Sequence, residues 1–176
     1  MKKIILSILI ISFVVVLTGC GKESKKEVVE TKKIESELGT KEVSETISKT
    51  NNMVEYEFET ESVKVVTSMK HNKKFKYTDG KIEKGDYTIS MELVETYLPM
   101  FEQYKELAGY ESLTIDGKEA LKTNSELGQT ILVKISNEAI LYIKGTTNGR
   151  IVNHEMTEDK DYKNVIKSIK IKVTEK

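Results

Sequence analysis

Hydrophobic and polar positions divide this chain into three parts. An almost unbroken apolar run from Ile4 to Leu17 comes first, directly after two lysines. The second part, residues 20–52, has few aliphatic side chains and no aromatic one. From Met53 onward, apolar residues alternate with polar residues, as they do in a β-strand that buries one face. The pattern therefore predicts a folded domain over residues 53–176, preceded by two segments of a different kind.

Between the predicted strands of this domain lie two Asp-Gly pairs that are typical of hairpin turns. Asp79-Gly80 favours a type I′ turn, because both central positions of that turn need a positive φ, and Asp116-Gly117 is a second such signal. Residues 131–133 and 139–143 are almost continuously apolar, which is typical of central strands. The predicted strands are 54–58, a run from Val63, a run through Phe75 and Tyr77, 87–94, 113–115, 118–123, 129–135, 139–147 and a final edge strand at 169–173 with outward lysines.

Two helices are predicted among these strands. In the first, apolar residues form one helical stripe, comprising Tyr97, Met100, Phe101, Tyr104, Leu107 and Ala108. Pro99 suits the first turn of that helix, and Gly109 suits the position after its last residue. The second helix begins at Asp159 or Asp161 and continues through Tyr162, Val165, Ile166 and Ile169. The sequence thus predicts an α+β fold, a mainly antiparallel sheet packed by two helices.

The end of the first apolar run is the most specific motif in the chain. The run has the length of a signal-peptide core, roughly 7–15 residues, and is shorter than the ~20 residues that span a bilayer. It ends at Leu17, Thr18, Gly19 and Cys20, which resembles the lipobox of bacterial lipoproteins. Left open are an uncleaved N-terminal anchor and an ordinary secretory signal with a chance cysteine.

The lipobox resemblance implies that the N-terminus is cleaved and acylated. A signal peptidase that recognises Leu17, Thr18 and Gly19 cuts before Cys20, whose sulfur carries a diacylglyceryl group, and the exposed amino group is a further acylation site. Two acyl chains give stable membrane anchoring, whereas one gives only marginal binding. We therefore expect residues 1–19 to be a cleaved signal peptide. The mature protein is expected to be lipid-anchored at the extracytoplasmic face of the cell membrane.

Residues 20–52 are predicted to be a flexible tether. Lys, Glu, Ser and Thr dominate the segment, so it cannot bury enough apolar surface to offset the entropy of ordering. A short helical turn through Val28, Ile34 and Leu38, ended by Gly39, is the alternative. The expected role is a spacer between lipid and domain, and a linker without a selected role predicts the same composition.

The order of elements in the domain resembles the PsbP-like fold. The resemblance rests on a mid-chain helix, the hairpin at Asp116-Gly117, two long strands ending at Tyr142–Thr146, and a last helix that runs into a strand through Tyr162–Ile169. It implies an α/β/α sandwich and non-catalytic accessory or binding work. The chain lacks the tryptophan near the first strand and the metal-ligand histidine of that family. No functional residue is therefore carried over except the lipobox cysteine.

Charge and cysteine content exclude several classes of protein. The chain has 28 basic and 28 acidic residues, and removal of residues 1–19 takes away two lysines, leaving 26 against 28. This balance argues against a nucleic-acid binder and against a polybasic membrane-surface module. Cys20 is the single cysteine, so the domain has no disulfide, no cysteine nucleophile and no thiolate metal site.

Few side chains suggest chemistry, and no cofactor or metal is expected. His71 and His154 lack the neighbours of a catalytic or metal motif, and surface positions are expected for both. The acidic run 158–161 lacks the glycine and spaced ligands of a calcium loop. Arg150 is the sole arginine and a weak ligand-binding candidate, because its guanidinium can bind a carboxylate or phosphate with two hydrogen bonds. A solvated turn residue is the simpler interpretation of Arg150.

Three functions stay open at this stage. The first is a membrane-anchored envelope lipoprotein with a non-catalytic domain that binds an envelope protein or a small ligand. The second is an envelope enzyme of the hydrolase type with an unrecognised Asp, Glu and Tyr site, although no G-x-S-x-G motif is present. The third is a purely structural assembly factor. Most of the eight tyrosines fall on inward phases, so core packing is their expected role.

Overall fold

The computed structural model describes residues 27–34, 41, 43–50, 52–96, 99–149, 151 and 153–176. These residues form two antiparallel sheets and three short helices, so the domain is a mainly-β α+β fold. Within these ranges, no helix has the length and apolar character that crossing a membrane requires. The predicted signal peptide and the candidate residues Leu17, Thr18, Gly19, Cys20 and Arg150 lie outside the described residues.

The elements follow one another along the chain as twelve strands and three helices among the described residues. The strands are β1 Glu27–Ile34, β2 Val43–Thr50, β3 Met53–Glu59, β4 Val63–Lys70, β5 Lys76–Thr78, β6 Lys81–Lys84, β7 Tyr87–Glu95, β8 Glu111–Ile115, β9 Lys118–Ser125, β10 Gly128–Lys134, β11 Ala139–Thr147 and β12 Lys170–Glu175. The helices are α1 Met100–Glu106, α2 Asn153–Glu158 and α3 Lys160–Lys167.

The five-stranded sheet has the order β1-β2-β3-β4-β12 and begins before Met53. The prediction of a flexible tether over 20–52 is therefore wrong for β1 and β2, and so is a helical turn at Val28. Val43 and Ile47 of β2 are buried, and Ile47 lies opposite Tyr56 of β3. The segment has too little apolar surface to fold by itself, but pairing with β3 gives its few aliphatic side chains a partner surface.

The seven-stranded sheet has the order β5-β6-β7-β11-β10-β9-β8. Its middle contains β11 and β10, as the continuous apolar runs predicted. Asp79-Gly80 and Asp116-Gly117 both have positive φ at both residues, which confirms the two hairpin turns. β12 is an edge strand of the other sheet, as predicted.

The main core lies between the two sheets. Tyr56 and Phe58 of β3 belong to one apolar cluster with Ile89 of β7 and Leu141 of β11. The helical prediction needs one correction, since helix α2 was not predicted. The expected α/β/α layering is not confirmed, because among the described residues the seven-stranded sheet has α1 on one face and the five-stranded sheet on the other.

Helix α3 closes one end of the space between the sheets. Asp159 caps its N-terminus by accepting hydrogen bonds from the backbone N–H groups of Asp161 and Tyr162, which confirms the earlier of the two predicted start sites. Tyr162 and Val165 point into the main core. The side chain of Tyr162 passes so close to Gly145 that a Cβ at that glycine would lie 2.7 Å from the tyrosine hydroxyl.

Candidate functional site

The candidate residues chosen from sequence contribute little to a site among the described residues. His71 packs against the ring of Phe75 at 6.1 Å between centroids, and His154 is exposed on α2. Asp159 and Asp161 are both ion-paired with Lys84, at 2.6 and 2.7 Å. In the ranges that the structure covers, no group of three or more His, Cys, Asp or Glu could hold a metal ion.

One open groove of about 410 Å³ lies beside the β10–β11 turn. Its lining residues are Lys118, Glu119, Lys134, Ile135, Ser136, Asn137 and Glu175. Small-molecule sites of this size are lined predominantly by apolar and aromatic side chains. Ile135 is the one apolar residue in this lining, so the groove does not have the character of such a site.

A more distinctive feature lies on the outer face of the seven-stranded sheet, where α1 packs. Phe101 of α1 is fully buried against Leu121, Leu132 and Ile140, which form a second apolar cluster. This cluster is separate from the main core because it occupies the opposite face of the sheet. The single buried aromatic ring thus fixes α1 to the sheet.

Two ion pairs hold α1 at its sides. Glu102 accepts from Lys134 of β10 at 2.5 Å, and Lys105 donates to Glu119 of β9 at 2.6 Å. Both pairs are partly exposed, so each contributes little stability, roughly 0–1 kcal/mol. Their effect is on orientation, because they fix which side of α1 faces the strands.

Three tyrosines converge beside α1, and all of them are partly exposed. The hydroxyl of Tyr142 on β11 lies 3.4 Å from the hydroxyl of Tyr104 on α1. The rings of Tyr104 and Tyr110 lie 5.6 Å apart between centroids, tilted by 44°. Leu107, which directly follows α1, is 55% exposed. We call Tyr104, Leu107, Tyr110 and Tyr142 the tyrosine surface.

The environment raises the pKa of two of these tyrosines, Tyr142 and Tyr110. Burial and the hydrogen bond with Tyr104 raise the pKa of Tyr142 well above its usual range. Burial, and then the proximity of Tyr104, raises the pKa of Tyr110. Lys144 is ion-paired with Glu92 and lies 5.4 Å from the centre of the Tyr142 ring. At neutral pH the hydroxyl groups of Tyr110 and Tyr142 are therefore uncharged, and the charge of Lys144 is balanced by Glu92.

The outer face of the sheet next to the tyrosine surface carries a row of hydroxyl groups. Side chains on this face of β7, β10 and β9 line up across the strands, and Ser90, Thr130 and Thr123 stand in one row with Lys144. The side chains of these three residues are partly exposed and have no hydrogen-bond partner among the described residues. The face can therefore form hydrogen bonds with a bound molecule.

Sequence reasoning missed the tyrosine surface because it assigned most tyrosines to the core. Tyr142 lies in a run where both faces of β11 carry large side chains, so alternation did not show which face was outward. The available signal was the series Ile140, Tyr142, Lys144 and Thr146, which becomes more polar along one face. That series indicates a face that is covered at one end only.

No known protein family matches the chain, and no curated protein or solved structure matches it either.

Proposed function

We propose that this protein is a lipid-anchored envelope protein that binds another protein through its tyrosine surface, without catalysing a reaction. The observation that carries the proposal is the convergence of Tyr104, Tyr110 and Tyr142 on one outer face, beside half-exposed Leu107. Tyrosine is enriched at protein interfaces and among the residues that dominate their binding energy, because it buries a large area and keeps a polar group.

A protein partner fits this surface better than a small ligand does. Tyr142 stands on the outer face of the sheet and Tyr104 on the helix beside it, and the open groove elsewhere has a charged lining. An interface of ordinary size needs about 800 Å² on each partner, with aromatic residues at its centre and polar residues around them. Here the hydroxyl row and the ion pair of Lys144 and Glu92 provide the polar surroundings.

The lipid anchor is part of the proposal and rests on the sequence motif at Cys20. Replacement of Cys20 by Ala is expected to leave uncleaved precursor or to release protein into the medium. Mass spectrometry of the purified protein gives the decisive reading, because a cleaved and acylated N-terminus carries the mass of diacylglycerol. Unchanged processing and membrane retention of the Cys20→Ala chain would contradict the anchor.

We also propose the PsbP-like resemblance as a likeness of element order alone. The order from β7 through α1, the β8–β9 hairpin, β10 and β11 to α3 and β12 supports it. The five-stranded sheet is a difference, since it occupies the position of a helical layer in an α/β/α sandwich. An experimental structure whose superposition on that fold fails to align α1 and α3 together would refute the likeness.

Photo-crosslinking tests the binding surface with a matched control. A photoreactive phenylalanine analogue replaces Leu107 in one version of the full chain and Leu127 in another, since these leucines are 55% and 56% exposed. In the native cells we expect one cross-linked protein from position 107 and none from position 127. Tyr110→Ala should then weaken the interaction about 30-fold, which is the effect of losing a dominant interface residue.

The outcomes separate this proposal from the alternatives. Equal cross-linking from both positions, or an unchanged yield with Tyr110→Ala, would contradict a protein interface at the tyrosine surface. A purely structural assembly factor would give cross-links that do not depend on Tyr110. An enzyme of the hydrolase type would instead show turnover that is lost when a carboxylate of the described residues is replaced.

A further inference from the structure

Positive charge is concentrated at one end of the two-sheet core. At this end β4 finishes at Lys70, and α3 leads into β12. The Ser168 hydroxyl accepts a hydrogen bond from the Lys70 backbone N–H at 2.8 Å, and the Asn72 side chain donates to Asp161 at 2.8 Å. The loop after β4 therefore lies against α3. We call the surface formed by Lys70, Lys73, Lys160 and Lys167 the basic end.

These four lysines are exposed and have no ion-pair partner among the described residues. Four acidic residues near them are ion-paired with other lysines. Those ion pairs are Lys74–Asp161 at 3.0 Å, Lys84–Asp159 at 2.6 Å, Lys163–Glu158 at 2.6 Å and Lys170–Asp116 at 2.8 Å. These four carboxylates therefore do not pair with the lysines of the basic end.

The opposite end of the core carries two exposed carboxylates that have no ion-pair partner among the described residues, those of Glu61 and Glu175. Glu59 and Glu138 are also exposed there, but they are ion-paired with Lys176 at 2.8 Å and with Lys41 at 2.6 Å. We call this end the acidic end. The eight residues of β4 connect the two ends, and seven strand steps of roughly 3.3 Å separate them by about 23 Å. The balanced composition thus conceals a separation of charge, and a net charge near zero does not exclude a membrane-surface role for the folded domain.

The first strand of the domain begins at the basic end. β1 starts at Glu27, which pairs with Lys49 near the end of β2. The carbonyl of Asn52, in the following turn, accepts a hydrogen bond from the backbone N–H of His71 at 2.9 Å. The seven residue steps from Cys20 to Glu27 span at most about 25 Å. A lipid on Cys20 therefore places the basic end close to the membrane.

We propose that the basic end rests against anionic phospholipid headgroups and so orients the domain on the membrane, an inference that rests on the proposed acylation of Cys20. Each lysine near an anionic membrane surface strengthens binding about fivefold. The attraction acts within a Debye length, about 8 Å at physiological ionic strength, so it requires close approach.

This orientation leaves the tyrosine surface accessible. Ile140, which lies beneath α1, is the neighbour of Ala139, and Ala139 pairs with Glu95 at the acidic end. When the basic end faces the lipid, α1 is therefore turned toward the other side, where an envelope partner can reach it. The lipid anchor alone fixes the position of one residue, whereas the basic end also fixes the direction in which the domain points.

The test is a lysine-labelling footprint of the mature lipoprotein in vesicles. Intact mass first establishes the diacylglyceryl group, and its absence would overturn the lipid anchor together with the premise of this inference. The lipidated protein is then placed in vesicles of phosphatidylcholine, with and without phosphatidylglycerol, and labelled with an impermeant acylating reagent. Lys81 and Lys176, which are exposed outside the basic end, are the internal controls.

We expect labelling of the basic end to be several-fold lower on vesicles with phosphatidylglycerol than on vesicles without it. High salt should restore the labelling. Labelling of the two control lysines should not change. The variant Lys73→Gln/Lys167→Gln should weaken docking about 25-fold, since each lysine contributes about fivefold, so that Lys70 becomes fully reactive again. The control variant Lys81→Gln/Lys118→Gln should leave the protection intact. Two outcomes would overturn the proposal. In the first, the lysines of the lipidated protein are fully labelled in both kinds of vesicle; in the second, they are protected to the same extent with and without phosphatidylglycerol.

Discussion

Replacement of Glu95 by Gln should destabilise the domain, because Glu95 is a fully buried carboxylate. Its Oε1 accepts from the Nζ of Lys41 at 3.0 Å and from the hydroxyl of Ser62 at 2.5 Å. The backbone N–H of Lys41 also donates to the Glu95 carbonyl, at 2.8 Å. This one side chain therefore connects the segment before β2, the β3–β4 turn and the end of β7.

The magnitude follows from the contacts that Gln cannot reproduce. A hydrogen bond to a charged group contributes about 1.5–3 kcal/mol, and a neutral amide oxygen restores part of one. Lys41 keeps a second partner, since it also donates to Glu138 at 2.6 Å. The loss is therefore smaller than the 3–5 kcal/mol of breaking an isolated buried pair. We expect Glu95→Gln to lower the free energy of unfolding by about 2–3 kcal/mol at neutral pH.

The pH dependence of the loss in unfolding free energy gives a second test. Burial opposes ionisation of Glu95, but hydrogen bonds from Ser62, Thr60 and Lys41 outweigh it, so its pKa lies below the ordinary value of 4.5. A carboxyl whose pKa is lower in the folded state contributes stability above its unfolded pKa and loses it as the pH falls through the folded value. The difference between the native chain and Glu95→Gln should thus stay constant near neutral pH and shrink below pH 4.5.

Urea unfolding at several pH values, followed by tyrosine fluorescence or circular dichroism, measures both effects. Glu138→Gln is the matched control, because Glu138 binds the same lysine but its side chain is 49% exposed. This control should cost less than about 1 kcal/mol, as exposed ion pairs do. Equal losses for the two variants, or a Glu95→Gln loss that persists unchanged in acid, would refute the reasoning.

Two further substitutions test the packing on each face of the seven-stranded sheet. Phe101→Ala should destabilise the protein by about 3–5 kcal/mol, because it empties the cluster that holds α1. Faster hydrogen exchange in 100–106 than in β11 should accompany that loss, and a uniform increase would contradict it. Gly145→Ala should lower the free energy of unfolding by about 1–3 kcal/mol, since the new Cβ would lie 2.7 Å from the Tyr162 hydroxyl. An unchanged urea midpoint for Gly145→Ala would show that Tyr162 can move away without cost.

Local patterns were sufficient to predict many elements of the domain. The hairpins at Asp79-Gly80 and Asp116-Gly117 followed from the φ values that their turns require. The helix around Phe101 followed from its apolar stripe and is shorter than predicted, ending at Glu106. The start of α3 followed from the capping ability of Asp159. Each of these features depends on residues that are close in sequence, so a sequence pattern can show them.

Features that depend on distant residues were predicted poorly. β1 and β2 have a composition typical of an unstructured segment. They form strands because β2 pairs with β3 and β1 pairs with β2. Core packing was expected for most of the tyrosines, and Tyr142 was not recognised as an exception because both faces of its strand carry large side chains. The position of α1 decides which part of that face stays exposed. Neither result depends on the residue alone, because each needs a partner surface from another part of the chain.

The sequence by itself determined the α+β class, the turns, the central strands and the expectation of a lipid on Cys20, since short-range spacing carries all of these. Only the tertiary structure decided that two sheets share one core, that three tyrosines meet beside α1, and that Lys70 and Lys167 stand at one end while Glu61 stands at the other. The physical reason is that burial and electrostatic interaction depend on distance in space. Residues far apart in a chain with balanced charge can therefore form two surfaces of opposite sign.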